Sequence, residues 1–449
     1  MQATMTWLQA INGWVWGPFT LVLIAGTGLY LMIGLRFMPL SRIGFAVRSM
    51  VSSIQDNKVA KEGDGGVNAF QGLMTALAAT IGTGNIAGVA AAIGVGGPGA
   101  VFWMWLVALV GIATKYGESL LAVHFREKDP LGELVGGPMY SIRNGLGGSW
   151  QWLAWLFAIF GTLAGFGIGN GVQAHELANA LDDYGIPPIV SGLTMAAITF
   201  AVIVGGIKRI GRVSSIVVPL MAGVYLIGSL VILVANIGEI PAAFGIIFKD
   251  AFTGTAVAGG AIGVVIQKGI SRGVFSNEAG LGTAPIAQAA ARPGDPVFQG
   301  AVAMLGPIFD TLIICTMTAL VIVISGSYGT SLEGVDMTKA AFAWGMPGGQ
   351  HIVAFATVTF TATTILGWGF YSEKCLEFLA GLKPIKAFRL AWVGVVVIGS
   401  IASFDIVWTI SDILNGLMAV PNLISIILLS PVIFSITGDY SFNHYQEEE

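Results

Sequence analysis

Apolar residues run through this chain in long blocks, with no sustained alternation of the kind a half-buried strand would need. Eleven blocks are long enough to cross a bilayer, near 15–36, 67–95, 99–123, 150–180, 187–206, 211–235, 256–291, 297–325, 350–380, 385–402 and 420–437. About 20 apolar residues in helical form span the hydrocarbon layer, so each block predicts a membrane helix. Two shorter pieces, "IPAAFGIIFKDAF" at 240–252 and "EGVDMTKAAFAWGM" at 333–346, are amphipathic and expected at the interface. The stretch 405–419, "DIVWTISDILNGLMA", fits either a re-entrant turn or the first half of a long last helix.

Composition sharpens this into an all-α integral membrane protein. Of 449 residues 55% are hydrophobic and 10% charged, against roughly 25% charged in soluble domains, and mean hydropathy is +0.80. A net charge of −4 offers no basic surface for nucleic acid. Cys315 and Cys375 have neither metal-ligand spacing nor a disulfide framework. The opening "MQATMTWLQAINGWVW" lacks a basic n-region and a cleavage site, so the first block is expected to be retained. Fifteen Lys and Arg fall in loops on one side of the eleven-helix arrangement, against Lys249 and Lys339 on the other. The positive-inside rule then places the N-terminus outside and the C-terminus in the cytoplasm. No nucleophile–base pair, Walker loop or HExxH is present, and His124, His175, His351 and His444 are isolated. ATP hydrolysis and intramembrane enzymology therefore have no support.

One block contradicts itself. "ALAATIGTGNIAGVAAAI", from Ala76 to Ile93, carries Gly82-Thr83-Gly84-Asn85 at its centre. Glycine costs about 1 kcal/mol relative to alanine in a helix, and irregular backbone at membrane depth is tolerated only against protein or a wet cavity. A similar stretch recurs: Asn85-Ile86-Ala87-Gly88-Val89 aligns with Asn277-Glu278-Ala279-Gly280-Leu281, an offset of 277 − 85 = 192 residues, or five spans. An odd number of spans inverts the second copy, as in transporters whose paired broken helices mark the binding site. The chain then divides into residues 1–66, 67–236 and 237–449. A broken helix frees N–H groups on one half and C=O groups on the other. Freed amides suit a carboxylate, and freed carbonyls suit an ammonium or a bare cation. A small zwitterionic amino acid with Na⁺ fits that equipment.

The segments "GTGNIAG", "GGPGAVFWMWLVALVG", "GISRGVFSNEAGLGTAPIAQAAA", "FDTLIICTMTAL" and "TTILGWGFYSEKCLEF", in this order, resemble the signature of the alanine/glycine:cation symporter family. The resemblance implies a LeuT-like fold: two inverted five-helix repeats preceded by one extra helix, with core helices 1 (67–95) and 6 (256–291) discontinuous. It implies uptake of alanine or glycine driven by Na⁺, less often by H⁺, across the plasma membrane of a prokaryote, with no organic cofactor and no obligate protein partner. It also implies a cation between core helix 1 and core helix 8 (350–380), held by the carbonyls of Ala78 and Ile81 and by hydroxyls among Thr361, Thr363 and Thr364.

Other candidates come from the residues themselves. Gly82, Thr83, Gly84 and Asn85 are the first choice for meeting a substrate carboxylate, against a packing kink capped by Asn85. The repeat alignment places the second unwound turn at Arg272–Ser276, with Gly273 as its hinge, carbonyls for the substrate amine and Phe275 to close over the ligand. Phe166, Asn170 and Gln173 follow i, i+4, i+7 spacing and so share a helix face, for substrate or for interhelical hydrogen bonds. Trp368 either walls the pocket or packs. Asp310, mid-span, is open to three roles: neutralising a second cation, carrying a proton, or pairing with Lys268 or Arg272. Lys268 and Arg272 face an aqueous path or pair with Glu278. Glu118 and Glu373 are read as gate or loop contacts, and Asp412 and Asn415 have weak claims.

Overall fold

The computed structural model describes residues 2–55, 66–253, 262–402 and 405–442. Among these residues, seven helices are long and apolar enough to cross a membrane, and a bent pair makes an eighth. Helices α1 (Gln2–Val15) and α2 (Pro18–Gly34) meet at Gly17, and α3 (Ile43–Gln55) follows. The bent pair is α4 (Ala69–Thr80) and α5 (Gly84–Gly96), inclined by 55°. Next come α6 (Ala100–His124), α7 (Gly148–Asp182), α8 (Pro188–Ile203), α9 (Gly206–Ala235) and the amphipathic α10 (Ile240–Thr253). The second half holds α11 (Ile262–Asn277), α12 (Ala284–Ala289), α13 (Pro296–Ser325), α14 (Gly334–Gly345), α15 (Gly349–Ala380), α16 (Ile385–Ile401), α17 (Asp405–Leu428) and α18 (Ser430–Gly438).

Most predicted spans lie where the apolar blocks put them. Helices α8 and α16 are short, at 16 and 17 residues. The start of the 256–291 block lies outside the described residues, as do Lys58 and Lys61 of the predicted inner loop. The last span needs correction. Helix α17 is continuous from 405 to 428, so 405–419 is the first half of the last long helix, and the predicted 420–437 straddles two elements. Pro431, near the start of α18, explains the stop: its ring cannot donate the amide that would continue α17.

Close packing sets the centre. Helix α15 lies against α4, α7, α9 and α14, and α6 lies against α11, α13 and α2. Small residues make this possible, as in membrane helix pairs generally. A Cβ on Gly367 of α15 would stand 2.8 Å from Ala79 Cβ on α4, and one on Gly169 of α7 would stand 2.4 Å from Trp368 Cβ. Two-residue strands β1 (Val67–Asn68) and β4 (Ala291–Arg292) pair in parallel, tying the start of α4 to the end of α12. Strands β2 (Glu127–Lys128) and β3 (Leu134–Val135) form a small hairpin at the same end of the molecule. At the opposite end the amide of Gly99 donates to Asp250 Oδ2 at 2.8 Å, pinning α10 onto the α5–α6 turn.

Because Gly367 meets both a side chain and the backbone of Ala79, Gly367→Val should separate α4 from α15. A destabilisation of about 1–3 kcal/mol is expected, read as a lowered thermal midpoint of the purified protein in detergent.

Candidate functional site

The first break has its own lid on the backbone. Asn68 and Gln71 form a capping box that starts α4, and the helix ends at Thr80 where Ile81 turns extended, at ψ 92°. The Gly82 amide, released by that turn, donates to Asn85 Oδ1 at 2.9 Å. Asn85 Nδ2 in turn donates to Asp310 Oδ1 at 2.7 Å, and Thr318 donates to the Asn85 carbonyl at 2.8 Å. The other Asp310 oxygen accepts from Ser276 Oγ at 2.7 Å and Thr311 Oγ1 at 2.8 Å. Asp310 therefore joins the first broken helix to α11, and it pairs with neither Lys268 nor Arg272. The two helices meet closely here: a Cβ on Gly84 would lie 3.1 Å from Ser276 Cα and 3.4 Å from the Phe275 ring.

The second break is not where the repeat alignment put it. Helix α11 runs unbroken through Arg272–Ser276, and the chain opens at residues 278–283. The reason is local. Gly82 and Gly84 correspond to Val274 and Ser276, which keep the helix, while Gly280 and Gly282 take φ of +92° and +79°, a region that favours glycine. Gly273 is no hinge: its Cβ position lies 2.7 Å from Val107 Cγ1, so it admits α6. The two aligned asparagines do both sit at breaks, Asn277 Oδ1 accepting from the Ala279 amide at 2.9 Å.

A residue with no predicted binding role holds this second opening. Glu118 Oε1 on α6 accepts from the amides of Gly280 (3.0 Å) and Gly282 (3.2 Å) and from Asn422 Nδ2 (2.6 Å). Gly111, two turns earlier on the same face, sits against Ala279. The only sequence signal was a carboxylate on the glycine face of an apolar helix. Lys115 lies between them, buried, with no hydrogen-bond partner for Nζ among the described residues. Glu278 accepts from Trp368 Nε1 at 2.9 Å and from Thr283 Oγ1 at 2.5 Å, so the expected pairing with Lys268 or Arg272 is absent.

A cavity of 20 Å³ lies where the breaks converge, lined by Gly82, Thr83 and Gly84, by Ile168 and Gln173, by Phe275 and Glu278, by Thr364 and Trp368, and by Asn415. Gln173 Nε2 donates to Thr83 Oγ1 (3.2 Å) and to the Ile168 carbonyl (2.9 Å), while its Oε1 has no partner among the described residues. Asn415 Oδ1 is likewise buried and unpartnered. Two bare acceptors and a carboxylate thus stand across from the first break. Asn415 was undervalued in sequence because its register on α17 depended on where that helix began.

Phe166 and Asn170 are not in this cavity. Phe166 packs on Phe388 and Trp392 of α16, and Asn170 Nδ2 donates to the Trp392 carbonyl at 2.8 Å. Residues 165–171 are wound as π-helix, which inserts extra residues per turn, so i, i+4, i+7 no longer describes one face. The threonines also separate. Thr364 Oγ1 lies 3.4 Å from the Ile81 carbonyl. Thr361 bonds carbonyls of its own helix, and Thr363 adds only Met221 Sδ at 3.5 Å. Of the three, Thr364 alone faces the break, with Ala78 buried one turn below it.

Thr83 and Phe275 also form the floor of a 690 Å³ vestibule that opens between α5, α7 and α14. The Arg272 guanidinium lies 5.5 Å from the Phe275 ring centre. The opposite end is closed by β1 and β4, by Arg126 donating to the carbonyls of Ala289 and Ala291 at 3.1 and 2.8 Å, and by a two-bond pair of Arg389 with Glu373 at 2.6 and 2.7 Å. Glu373 therefore joins two helices, α15 and α16, at this end.

The model of the sodium:alanine symporter family matches residues 1–449. The chain is 48% identical to the sodium/alanine symporter AgcS of Methanococcus maripaludis over 98% of both chains. It is 36% identical to a probable sodium/glutamine symporter, GlnT, of Bacillus subtilis, over 96% of this chain and 89% of that one. Among solved structures it is similar in fold to a Na⁺-coupled sialic acid symporter in a substrate-bound outward-open state, with a TM-score of 0.50, 12% identity, and coverage of 94% of this chain and 86% of that one. A helix pair broken at membrane depth, a matching whole-length family model and near-complete relatives agree: this chain belongs to the sodium:alanine symporter family.

Proposed function

We propose that the chain is a secondary active symporter that couples uptake of a small neutral amino acid, alanine or glycine, to Na⁺ by alternating access. The observation that carries this reading is the 20 Å³ cavity with the first helix break on one wall and side-chain oxygens unpartnered among the described residues on the other. The substrate carboxylate meets the amides of Thr83 and Gly84 at the positive end of α5. Its ammonium meets Gln173 Oε1, Asn415 Oδ1 and the Glu278 carboxylate. Phe275 and Trp368 wall this small cavity, which favours a small side chain on the substrate.

Sodium fits beside this site. Two oxygens about 3.4 Å apart, set at right angles about one ion, each stand about 2.4 Å from it, a normal distance to a hard cation of this size. Thr364 Oγ1 and the Ile81 carbonyl have that separation, and the Ala78 carbonyl lies on the same side of the break. An ion there joins α4 to α15 and holds the first break in the shape that receives the carboxylate. Both ligands then favour one state, which is what coupling requires. Proton coupling remains the alternative that the ion-replacement experiment below separates.

The architecture we infer is eleven crossing segments, with α1–α2 preceding two inverted five-helix repeats of the LeuT type. The short α8 and α16 complete the count, and α11–α12 is the broken partner of α4–α5. The N-terminus is outside and the C-terminus cytoplasmic, so the vestibule faces out and the Arg389–Glu373 end faces in. Phe275 with Arg272 forms the outer gate, and release inward needs the inner ion pairs to part.

The direct test is uptake of labelled alanine into proteoliposomes. An inward Na⁺ gradient should drive accumulation, and choline in place of Na⁺ should abolish it. Uptake that persists in choline and follows a pH gradient would remove the sodium assignment. Thr364→Val should raise the Na⁺ concentration for half-maximal uptake about tenfold, one hydrogen-bond-scale ligand being worth about 1.4 kcal/mol, with little change in thermal midpoint. Asp310→Ala should abolish uptake and also lower the midpoint, since it leaves Asn85 Nδ2 and Ser276 Oγ with only the weak Cys315 Sγ and a long backbone contact, at about 1–3 kcal/mol in all; unaltered thermal unfolding would show that the carboxylate does not join the breaks.

A further inference from the structure

A second polar cavity lies outside the central site, between α1, α11 and α17. It has a volume of 230 Å³ and is lined by Asn12, Gln267, Lys268, Arg272 and Asp412 among others. Its walls are fixed by long-range bonds: Trp16 Nε1 donates to the Asp412 carbonyl at 3.1 Å, and Gln267 Nε2 donates to the Trp16 carbonyl at 3.0 Å. It shares only Arg272 with the large vestibule and no residue with the central cavity.

The charges in it are unmatched in a particular way. Lys268 and Arg272 are one turn apart on the same face of α11, and neither takes part in an ion pair among the described residues. Two like charges at this spacing repel, which an anionic group between them would relieve. Asp412 supplies a carboxylate in the same cavity and is only 6% exposed. One of its oxygens accepts from Asn12 Nδ2 at 3.0 Å, and Asn12 Oδ1 is buried without a partner among the described residues. The cavity therefore has a cationic side and an acceptor side. A bare anion would face Asp412, and a bare cation would face Lys268 and Arg272. A molecule carrying both charges a short distance apart complements both sides.

We propose that this cavity is an accessory site for a small zwitterionic amino acid, occupied without Na⁺. The carboxylate lies between Lys268 and Arg272, and the ammonium lies against Asp412 and Asn12 Oδ1. Sodium has no place here, because the ammonium of Lys268 and the guanidinium of Arg272 repel it. The helix that completes the site, α1, lies outside both repeats, so the site belongs to the added element and not to the transport core. The proposal does not depend on the transport reading.

The test is equilibrium binding of labelled alanine to the full chain in detergent, in Na⁺ and in choline. One Na⁺-independent site per chain is expected to remain in choline. Lys268→Gln and Asp412→Asn should each weaken it about tenfold or more, while the Na⁺-dependent component, retained in both variants, shows that they are folded. Acetate and methylammonium should each compete less well than alanine. Absence of binding in choline at millimolar alanine would overturn the proposal. So would choline binding that neither substitution alters, or acetate competing as well as alanine, which marks an anion site only. Absence of the Na⁺-dependent component in the unsubstituted chain, with choline binding present, would count against the transport reading and leave this one standing.

Discussion

Peptide groups released from a helix inside a bilayer find no water, so each must be met by the protein or by a ligand. That constraint organises everything at the centre of this molecule. The first break is tolerable because Asn85 folds back onto the Gly82 amide and is itself held by Asp310. The second is tolerable because Glu118 reaches across from α6 to two amides at once. Remove either support and the opening would have to close into helix or fill with water. The breaks are thus built features with named partners, and the cavity is what remains between them.

The carboxylates divide the work by position. Asp310 and Glu118 are turned toward donors of the protein itself, and they fix the shape of the two openings. Glu278 sits at the mouth of the second opening with one oxygen on Trp368 and the other on Thr283, while lining the cavity. Trp368 in turn reaches the cavity only because Gly169 yields to its Cβ. Helix packing, gate and wall are therefore linked through a few small residues, and a Cβ added at one of them would move the others.

Much of this was legible in the chain. Apolar block length gave nearly every long helix, since twenty apolar residues have few alternatives in a membrane. Glycines just before Asn85 marked the first break, because irregular backbone at that depth is tolerated only against protein or a wet cavity. The second break was displaced by half a dozen residues for a physical reason: the repeats are aligned by their asparagines, but the glycines that unwind the chain lie before Asn85 in one copy and after Asn277 in the other. Phe166 and Asn170 were misjudged because a π-helical stretch changes the face a residue presents, and periodicity assumes it does not. Glu118 was hidden more deeply. Its partners are backbone amides on a distant loop, and a side chain that caps another segment leaves no pattern in its own.

The inequality between the two breaks decides how a ligand can lie. A zwitterion has one carboxylate, and two sets of freed amides might compete for it. At the second break the competition is already over, because the Glu118 carboxyl occupies the amides of Gly280 and Gly282. At the first break the internal acceptor is Asn85, neutral and engaged with one amide only. The next two amides, on Thr83 and Gly84, begin α5, where the peptide dipoles favour an anion. On the proposed reading the carboxylate is thereby directed to one end of the cavity, and the ammonium is left facing Glu278, Gln173 and Asn415. On that reading, orientation of the cargo follows from which break the protein has filled with its own carboxyl group.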